Sequence, residues 1–285
     1  MLFTSDRGIT PAAAAQAAEE AGFATFYVPE HTHIPVRRTA AHPRTGNASL
    51  PDDRYLRTLD PWVALASAVP VASTIRLATA VALPVESDPI TLAKTVATLD
   101  HLSGGRVTLG VGFGWNTDEL ADHGVPGKRR RTALREYLEA MRALWSEEEA
   151  SYAGEFVEFG ASWAWPKPVQ AKVPVVVGAG GTERTFRWIA RNGDGWMTTP
   201  GEGSAEEIAG KVRRLREVWR EEGRDGQPEV VALGPRPDPA GLGELEAAGV
   251  TEVVFGLPDR AAAEVEAWVD RLAGKLGLSA GFGRG

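Results

Sequence analysis

A glycine-rich turn joins a buried strand to a helix in the stretch VPVVVGAGGTER, residues 173–184. The turn consists of Gly178, Ala179, Gly180 and Gly181, followed by Thr182 as a candidate helix cap. Free backbone N–H groups and the positive end of a helix dipole favour an anion at such a place. A plain tight turn would also need glycine, but three glycines in four residues favour a phosphate cradle. The turn therefore predicts a ligand that carries phosphate.

A His-x-His pair, His31 and His33, follows the second predicted strand. Imidazoles at this spacing could bind a metal ion or could simply form hydrogen bonds. A catalytic metal needs further ligands from other strands, whereas His42, His101 and His123 fall in a loop, at a helix end and in another loop. We therefore predict no metal ion.

Two basic segments flank the predicted site. The loop from His31 to Asp60 is far longer than common connections and contains five arginines, so we interpret it as a lid. Residues Lys128–Arg131 precede the fourth predicted helix, where positive charge opposes the helix dipole. A solvated basic turn would explain them, but we interpret them as the receptor of an anionic cofactor tail.

Short runs rich in valine, isoleucine and leucine alternate with amphipathic helical segments along the whole chain. Eight such units predict a (β/α)8 TIM barrel, with a short insertion at Tyr152–Phe159 between the fourth helix and the fifth strand. An open doubly wound sheet would carry a glycine fingerprint in its first turn, and SDRGITP lacks one. The predicted strands cover residues 1–4, 24–28, 75–81, 106–111, 173–177, 195–199, 229–233 and 251–255.

Composition limits the function classes. The 285 residues contain no cysteine, which excludes disulfides, thiolate catalysis and cysteine-bound metal centres. A net charge of −7 argues against nucleic-acid binding, and no apolar run is long enough to span a membrane. We expect a cytoplasmic protein with a small-molecule substrate, one domain over residues 1–277 and a flexible tail over residues 278–285.

Four segments together resemble the luciferase-like flavin and deazaflavin oxidoreductases. They are AEEAGFATFYVPEH (18–31), LDHLSGGRVTLGVGFGW (99–115), WPKPVQAKVPVVVGAGG (165–181) and ARNGDGWM (190–197). The resemblance extends to about Gly277 and is greatest to the branch that uses coenzyme F420. It implies a luciferase-like TIM barrel, a homodimer, hydride transfer at the deazaflavin ring, and phosphate binding after the fifth strand.

The resemblance also implies roles for individual residues. A non-proline cis peptide, matched here by Ala80-Val81, supports the cofactor ring, and Gly112, Gly114 and Trp115 lie on the cofactor side. His31 matches a histidine that approaches the ring, which makes it the candidate proton donor or orienting group. Trp115 stands where the sugar-phosphate dehydrogenases of the family have a glutamate, so sugar-phosphate oxidation is disfavoured.

Three functions remain open. The leading hypothesis is an F420-dependent oxidoreductase that transfers a hydride to or from a small organic substrate. The alternative is an FMN-dependent monooxygenase supplied by a partner flavin reductase, and the third is a non-catalytic cofactor-binding barrel. We assign Thr4, Trp62 and Phe113 to the substrate pocket.

Overall fold

The computed structural model describes residues 5–278. Seven parallel strands form a nearly closed barrel sheet, and neighbouring strands follow one another in chain order once a hairpin is set aside. These strands are β1 (Thr25–Val28), β2 (Arg76–Thr79), β3 (Val107–Gly112), β6 (Val175–Gly178), β7 (Gly195–Met197), β8 (Glu229–Leu233) and β9 (Glu252–Val254). The predicted barrel is confirmed. The first predicted strand with Thr4, and the predicted tail from residue 279 onward, lie outside the described residues.

The hairpin consists of β4 (Ala150–Ala153) and β5 (Glu158–Ser162), which pair antiparallel apart from the barrel. It lies between the helix that follows β3 and strand β6, which is where the insertion was predicted. Its strands reach slightly further than the predicted segment, because strand β5 continues beyond Phe159 to Ser162.

Helices surround the sheet. They are α1 (Pro11–Glu20), α2 (Pro61–Ala68), α3 (Pro89–Ser103), α4 (Thr117–Asp122), α5 (Arg130–Ser146), α6 (Glu183–Asn192), α7 (Ala205–Glu221), α8 (Pro239–Ala247) and α9 (Ala262–Leu276). Side-chain oxygens of Thr10, Asp60, Asp88, Thr182, Ser204 and Asp238 cap six of them. Helix α1 packs against α9, which brings the two ends of the ring together. Within residues 5–278, no helix has the length and apolar character needed to cross a bilayer.

The barrel interior is a small core of its own, separate from the larger core between sheet and helices. Its members are Tyr27, Ala78, Ala80, Val176, Met197, Val231 and Val254. Tyr27 on β1 also donates a hydrogen bond to Glu252 on β9 at 3.0 Å, so the two edge strands of the described sheet are joined across the barrel. The inward side chains fill the barrel, and any ligand must therefore lie above it, at the carboxyl ends of the strands.

Candidate active site

Val81 covers the carboxyl ends of two strands. The Ala80-Val81 peptide bond is cis, as the family resemblance implied. Gly112 and Gly178 lie side by side at the ends of β3 and β6, and a Cβ on either would come within 2.6 Å and 2.5 Å of the Val81 side chain. Neither position has room for a side chain. The result is an apolar platform at the barrel mouth, formed by Val81 over two glycines.

The predicted phosphate cradle begins beside this platform. Thr182 caps α6 by accepting the Thr185 N–H at 3.3 Å, and the space around a Cβ on Gly180 is open. The Gly181 N–H is engaged, because it donates to Glu202 Oε1 at 2.7 Å. The turn therefore presents the open Gly180 side of the helix N-terminus to a ligand.

Glu202 is a buried anion that the sequence analysis did not identify. Its side chain is 6% exposed and forms an ion pair with Lys211 at 2.7 Å, and it also accepts from Thr199. Burial by itself would raise the pKa of Glu202, but hydrogen bonds from Lys211, Thr199 and Gly181 together hold the pKa below its ordinary value. Glu202 thus holds the Gly181 end of the glycine turn, and Lys211 offsets the charge of Glu202.

Arg131 is a half-buried cation at the N-terminus of α6. Its Nη2 donates to Thr185 Oγ1 at 3.2 Å, and its guanidinium lies 3.9 Å from the centre of the Phe113 ring. Burial lowers the pKa of Arg131 to about 10, and repulsion from Arg184 and Arg130 adds to the shift. Across residues 5–278, its Nη1 is buried without a hydrogen-bond partner.

The two arginines that precede Arg131 in the basic segment have partners. Arg129 forms an ion pair with Glu155, and Arg130 donates to the Gly127 carbonyl at 2.5 Å. Of the predicted cluster, Arg131 is thus the residue placed at the cradle.

His31 and Glu119 form a buried pair on the other side of the platform. His31 Nδ1 lies 2.9 Å from Glu119 Oε2, and the two side chains are 8% and 0% exposed. Glu119 also accepts from the Thr32 N–H at 3.1 Å and from Asn116 Nδ2 at 3.2 Å. Glu119 belongs to α4, so a carboxylate reaches the histidine from four residues beyond Trp115.

Aromatic rings cover this pair. Trp115 meets His31 edge-on at 5.8 Å between ring centres, and it meets His42 of the long loop at 4.6 Å. Tyr55 approaches the same two imidazoles at 5.7 Å and 5.0 Å. The rings restrict the access of water to the His31–Glu119 pair.

The long loop is folded onto the site. Asp118, next to Glu119 on α4, accepts the backbone N–H groups of Thr39 at 2.7 Å and Ala40 at 2.8 Å. The loop ends near Thr58, whose hydroxyl donates to the His31 carbonyl. That this loop acts as a lid over the site remains a prediction.

Two more buried carboxyl groups stand near Glu119. Glu30 is 7% exposed and accepts the Leu83 N–H at 2.6 Å, and burial raises its pKa to about 7. Glu86 is 5% exposed, and burial, together with the charges of Glu119 and Glu30, raises its pKa to about 9. Sequence reasoning did not find these groups, because glutamates before and after short strands are usually exposed.

The remaining predicted residues are spread over the site and its surroundings. Trp62 on α2 is buried in the outer core, and Phe113 packs against Trp188 beneath Arg131. Gly114 adopts a left-handed conformation with φ of 71° against Leu120. Their assignment to cofactor or substrate remains a prediction.

The His-x-His pair is divided between two partners. His33 is directed to Asp122 on the surface at 2.9 Å, whereas His31 is directed inward to Glu119. The described part of the chain has no group of three or more histidine, aspartate or glutamate side chains arranged to hold a metal ion.

Fold and site together define an α/β-barrel protein with an apolar platform, an open glycine turn at a helix N-terminus and a buried histidine–carboxylate pair at one end. The family model for luciferase-like monooxygenase matches residues 11–235. The chain belongs to this family, as the resemblance in its motifs indicated.

The chain is also similar to several proteins of known sequence or structure. The uncharacterized protein Rv0953c of Mycobacterium tuberculosis is 68% identical over 276 residues, which are 97% of each chain. An F420-dependent glucose-6-phosphate dehydrogenase of Kineococcus radiotolerans is 32% identical over 231 residues, covering 78% of this chain and 63% of the dehydrogenase. The coenzyme F420-dependent tetrahydromethanopterin reductase of Methanopyrus kandleri has the same fold, with a TM-score of 0.73, 17% identity, and coverage of 97% and 96% of the two chains.

Proposed function

We propose that this protein is an F420-dependent oxidoreductase that transfers a hydride between the deazaflavin and a small organic substrate. The observation that carries the proposal is the buried His31–Glu119 pair at the barrel end that also holds Val81 and the anion-binding turn. A bound deazaflavin would supply the hydride acceptor or donor. The protein must then bind the ring, exclude water and move one proton.

The residues at the barrel mouth fit a phosphate-bearing ring cofactor. Ala80 and Val81 offer an apolar surface for a ring, with Gly112 and Gly178 beneath it. The open Gly180 side of the α6 N-terminus and the unpaired Nη1 of Arg131 suit a phosphate. Both features lie at the ends of β3 and β6, so one molecule could meet them together.

His31 is the proton-handling residue in this proposal. Its Nδ1 is engaged by Glu119, and within residues 5–278 its Nε2 has no hydrogen-bond partner. Nε2 is therefore the nitrogen that can meet a substrate oxygen, take its proton in oxidation and return it in reduction. Glu119 fixes the ring orientation and favours the imidazolium that forms when Nε2 takes the proton.

A basic cleft favours F420 over FMN. It has a volume of about 720 Å³ and lies between α5 and α6, next to Arg131. Its charged lining consists of Arg131, Arg135, Glu183, Arg184, Arg187 and Arg191. F420 continues beyond its phosphate in an anionic tail, whereas FMN ends there. Arg135, Arg187 and Arg191 already pair with glutamates. Arg131 and Arg184 are therefore the cations of this cleft that support the longer molecule.

The test is a binding comparison of F420 and FMN on the purified protein. We expect tighter binding of F420, and weaker binding of both in a Gly180→Asp variant, because a carboxylate would occupy the open cradle. A preference for FMN would instead support the luciferase-like monooxygenase named by the family model, which would need a partner reductase. Bound F420 without turnover of alcohols, aldehydes or conjugated carbonyl compounds would support a non-catalytic barrel.

We also propose that the protein is a cytoplasmic homodimer with small-molecule ligands. Trp163 and Trp165, after the β4–β5 hairpin, are 75% and 60% exposed. Large aromatic side chains at this exposure are typical of protein contacts. Light scattering at several concentrations tests the dimer, and a Trp165→Glu variant should shift it toward the monomer.

A further inference from the structure

Glu86 is a buried carboxyl group to which the proposed chemistry gives no role. It ends the short 3₁₀ turn Pro84–Glu86 after β2 and is 5% exposed. Its Oε2 accepts the Thr32 hydroxyl at 3.2 Å. Its Oε1 is buried, and no donor faces it among residues 5–278. Thr32 links this carboxyl group to Glu119, the partner of His31, because its hydroxyl donates to Glu86 and its backbone N–H donates to Glu119.

Two carboxyl groups in buried contact cannot both ionise at ordinary pH, so one of them keeps a proton. The donors decide which one. Glu119 receives hydrogen bonds from the Thr32 backbone and from Asn116, besides its contact with His31. Glu86 receives one hydroxyl. The negative charge therefore belongs on Glu119, and the proton belongs on Glu86, whose Oε1 lacks a donor because it is itself the donor.

The charges around Glu86 agree with this distribution. Glu119 and Glu30 face it from the barrel side. A cleft of about 400 Å³ on its outer side brings Asp88, His123, Tyr137 and Glu158 near it. Burial and its acidic neighbours raise the pKa of Glu86 to about 9, whereas the contacts of Glu119 hold the pKa of that group below its ordinary value against the effect of burial. The residues that line this cleft include no lysine or arginine, and burial lowers the pKa of His123, which favours its neutral form.

We infer that Glu86 is a positioning residue that stays protonated and donates its Oε1–H to Glu119, so that the ionised Glu119 is held in place for His31. Glu86 acts through Glu119 and does not touch the substrate. The effect of Glu86 on turnover rests on the proposed function, whereas the protonated state of Glu86 is independent of it.

The first test needs neither cofactor nor substrate. Infrared difference spectra between pH 7 and pH 10 should show the carbonyl band of a buried protonated carboxyl group at pH 7, and the band should be lost in Glu86→Gln. Glu30 also titrates near neutrality, so the measurement uses a Glu30→Gln background in which its band is absent. A spectrum without a protonated carboxyl at pH 7 in this background would overturn the inference.

The second test separates a neutral donor from an acid that gives up its proton. In Glu86→Gln, the amide can donate to Glu119 and accept from Thr32, as the protonated carboxyl does. We expect kcat and the pH profile of kcat/KM to stay within about threefold of the wild type. Glu86→Leu removes the donor, and we expect kcat to fall roughly tenfold or more with KM little changed. Equal losses in the two variants would contradict a positioning role.

A third measurement tests the inference about Glu86 without a substrate. Nitrogen-15 NMR of His31 reports which ring nitrogen carries the proton. The Nδ1–H signal should match between wild type and Glu86→Gln, and it should shift or broaden in Glu86→Leu if that variant folds. Absence of turnover together with these spectra would reject the proposed function and leave the Glu86 inference standing. A His31 signal that is identical in all three proteins would reject the inference.

Discussion

The side chain of Val81 occupies the space in which a Cβ on Gly178 would stand. A Cβ built there lies 2.5 Å from Val81 Cγ1, and one on Gly112 lies 2.6 Å from Val81 Cγ2. Gly180, two residues further along the same turn, has nothing within 4 Å of its Cβ position. The glycines of one turn thus have different physical roles: Gly178 makes room for the platform, and Gly180 leaves the cradle open.

This difference predicts that two glycine-to-alanine substitutions will have different effects on stability. Gly178→Ala should lower the free energy of unfolding by about 1–3 kcal/mol through overpacking against Val81. Gly180→Ala should change it by less than about 0.5 kcal/mol, as at an unencumbered surface position. Chemical denaturation measures both, and Val81→Ala should restore part of the loss in a double variant. Equal losses at the two glycines would contradict the described packing.

Arg131 should contribute to cofactor affinity, and its neighbour Arg129 should not. Loss of a hydrogen bond to a charged group costs about 1.5–3 kcal/mol, so Arg131→Gln should weaken cofactor binding roughly ten- to a hundredfold. Arg129 is exposed and paired with Glu155, which makes Arg129→Gln the matched control. Fluorescence titration at several salt concentrations should give a smaller salt dependence for Arg131→Gln. Unchanged affinity in this variant would place the phosphate elsewhere.

The buried His31–Glu119 pair should be required for turnover. We expect His31→Ala and Glu119→Gln each to lower kcat/KM at least a hundredfold, the range found for general acid–base groups. Cofactor affinity should stay within about threefold, because neither residue lies at the phosphate cradle. Asp122→Asn is the control, since Asp122 makes the equivalent contact with the exposed His33. The proton-handling role of His31 fails if the buried and exposed variants behave alike.

Glu30 should make the protein less stable as pH rises. Its pKa is about 7 in the folded chain, above the ordinary value of 4.5, so the folded state binds the proton more tightly than the unfolded state. Stability from this group is therefore fully present below about pH 4.5 and is lost up to about pH 7, by roughly 3 kcal/mol at 1.4 kcal/mol per unit.

The measurement is urea unfolding of the wild type and Glu30→Gln at pH 5, 6, 7 and 8. The glutamine can still accept the Leu83 N–H, and it cannot ionise. Its stability relative to the wild type should rise between pH 5 and pH 7 and then level off. A constant difference across this range would show that Glu30 has an ordinary pKa.

The barrel could be predicted from the sequence because its parallel strands are buried on both faces and appear as short apolar runs. The ends of these strands were less predictable. The run Ile75–Val81 was predicted as one strand, but β2 covers Arg76–Thr79 and is followed by the cis bond at Ala80-Val81. Helix α4 was missed because its six residues are too few to show a repeating pattern of apolar residues.

Sequence motifs pointed to the glycine turn and to Ala80-Val81. No motif pointed to the carboxyl groups behind His31. Glu119 lies 88 residues from His31 in the chain, and Glu86 lies 54 residues from Thr32. Contacts at such separations come from the folded barrel, and local pattern carries no signal for them. A glutamate in a polar loop is expected on the surface, so three buried ones could be recognised only in the structure.

Helix α4 attaches two different parts of the molecule through adjacent residues. Asp118 receives the backbone N–H groups of Thr39 and Ala40, and Glu119 holds His31. Because these contacts are made by backbone N–H groups, most side-chain changes in the loop would leave them in place. Proline at residue 39 or 40 is the exception, since it would remove one of the two donors. The main-chain attachment at Thr39 and Ala40 therefore does not depend on the side chains of residues 43–51. The long loop is thus joined to the barrel at the residue next to the carboxylate partner of His31.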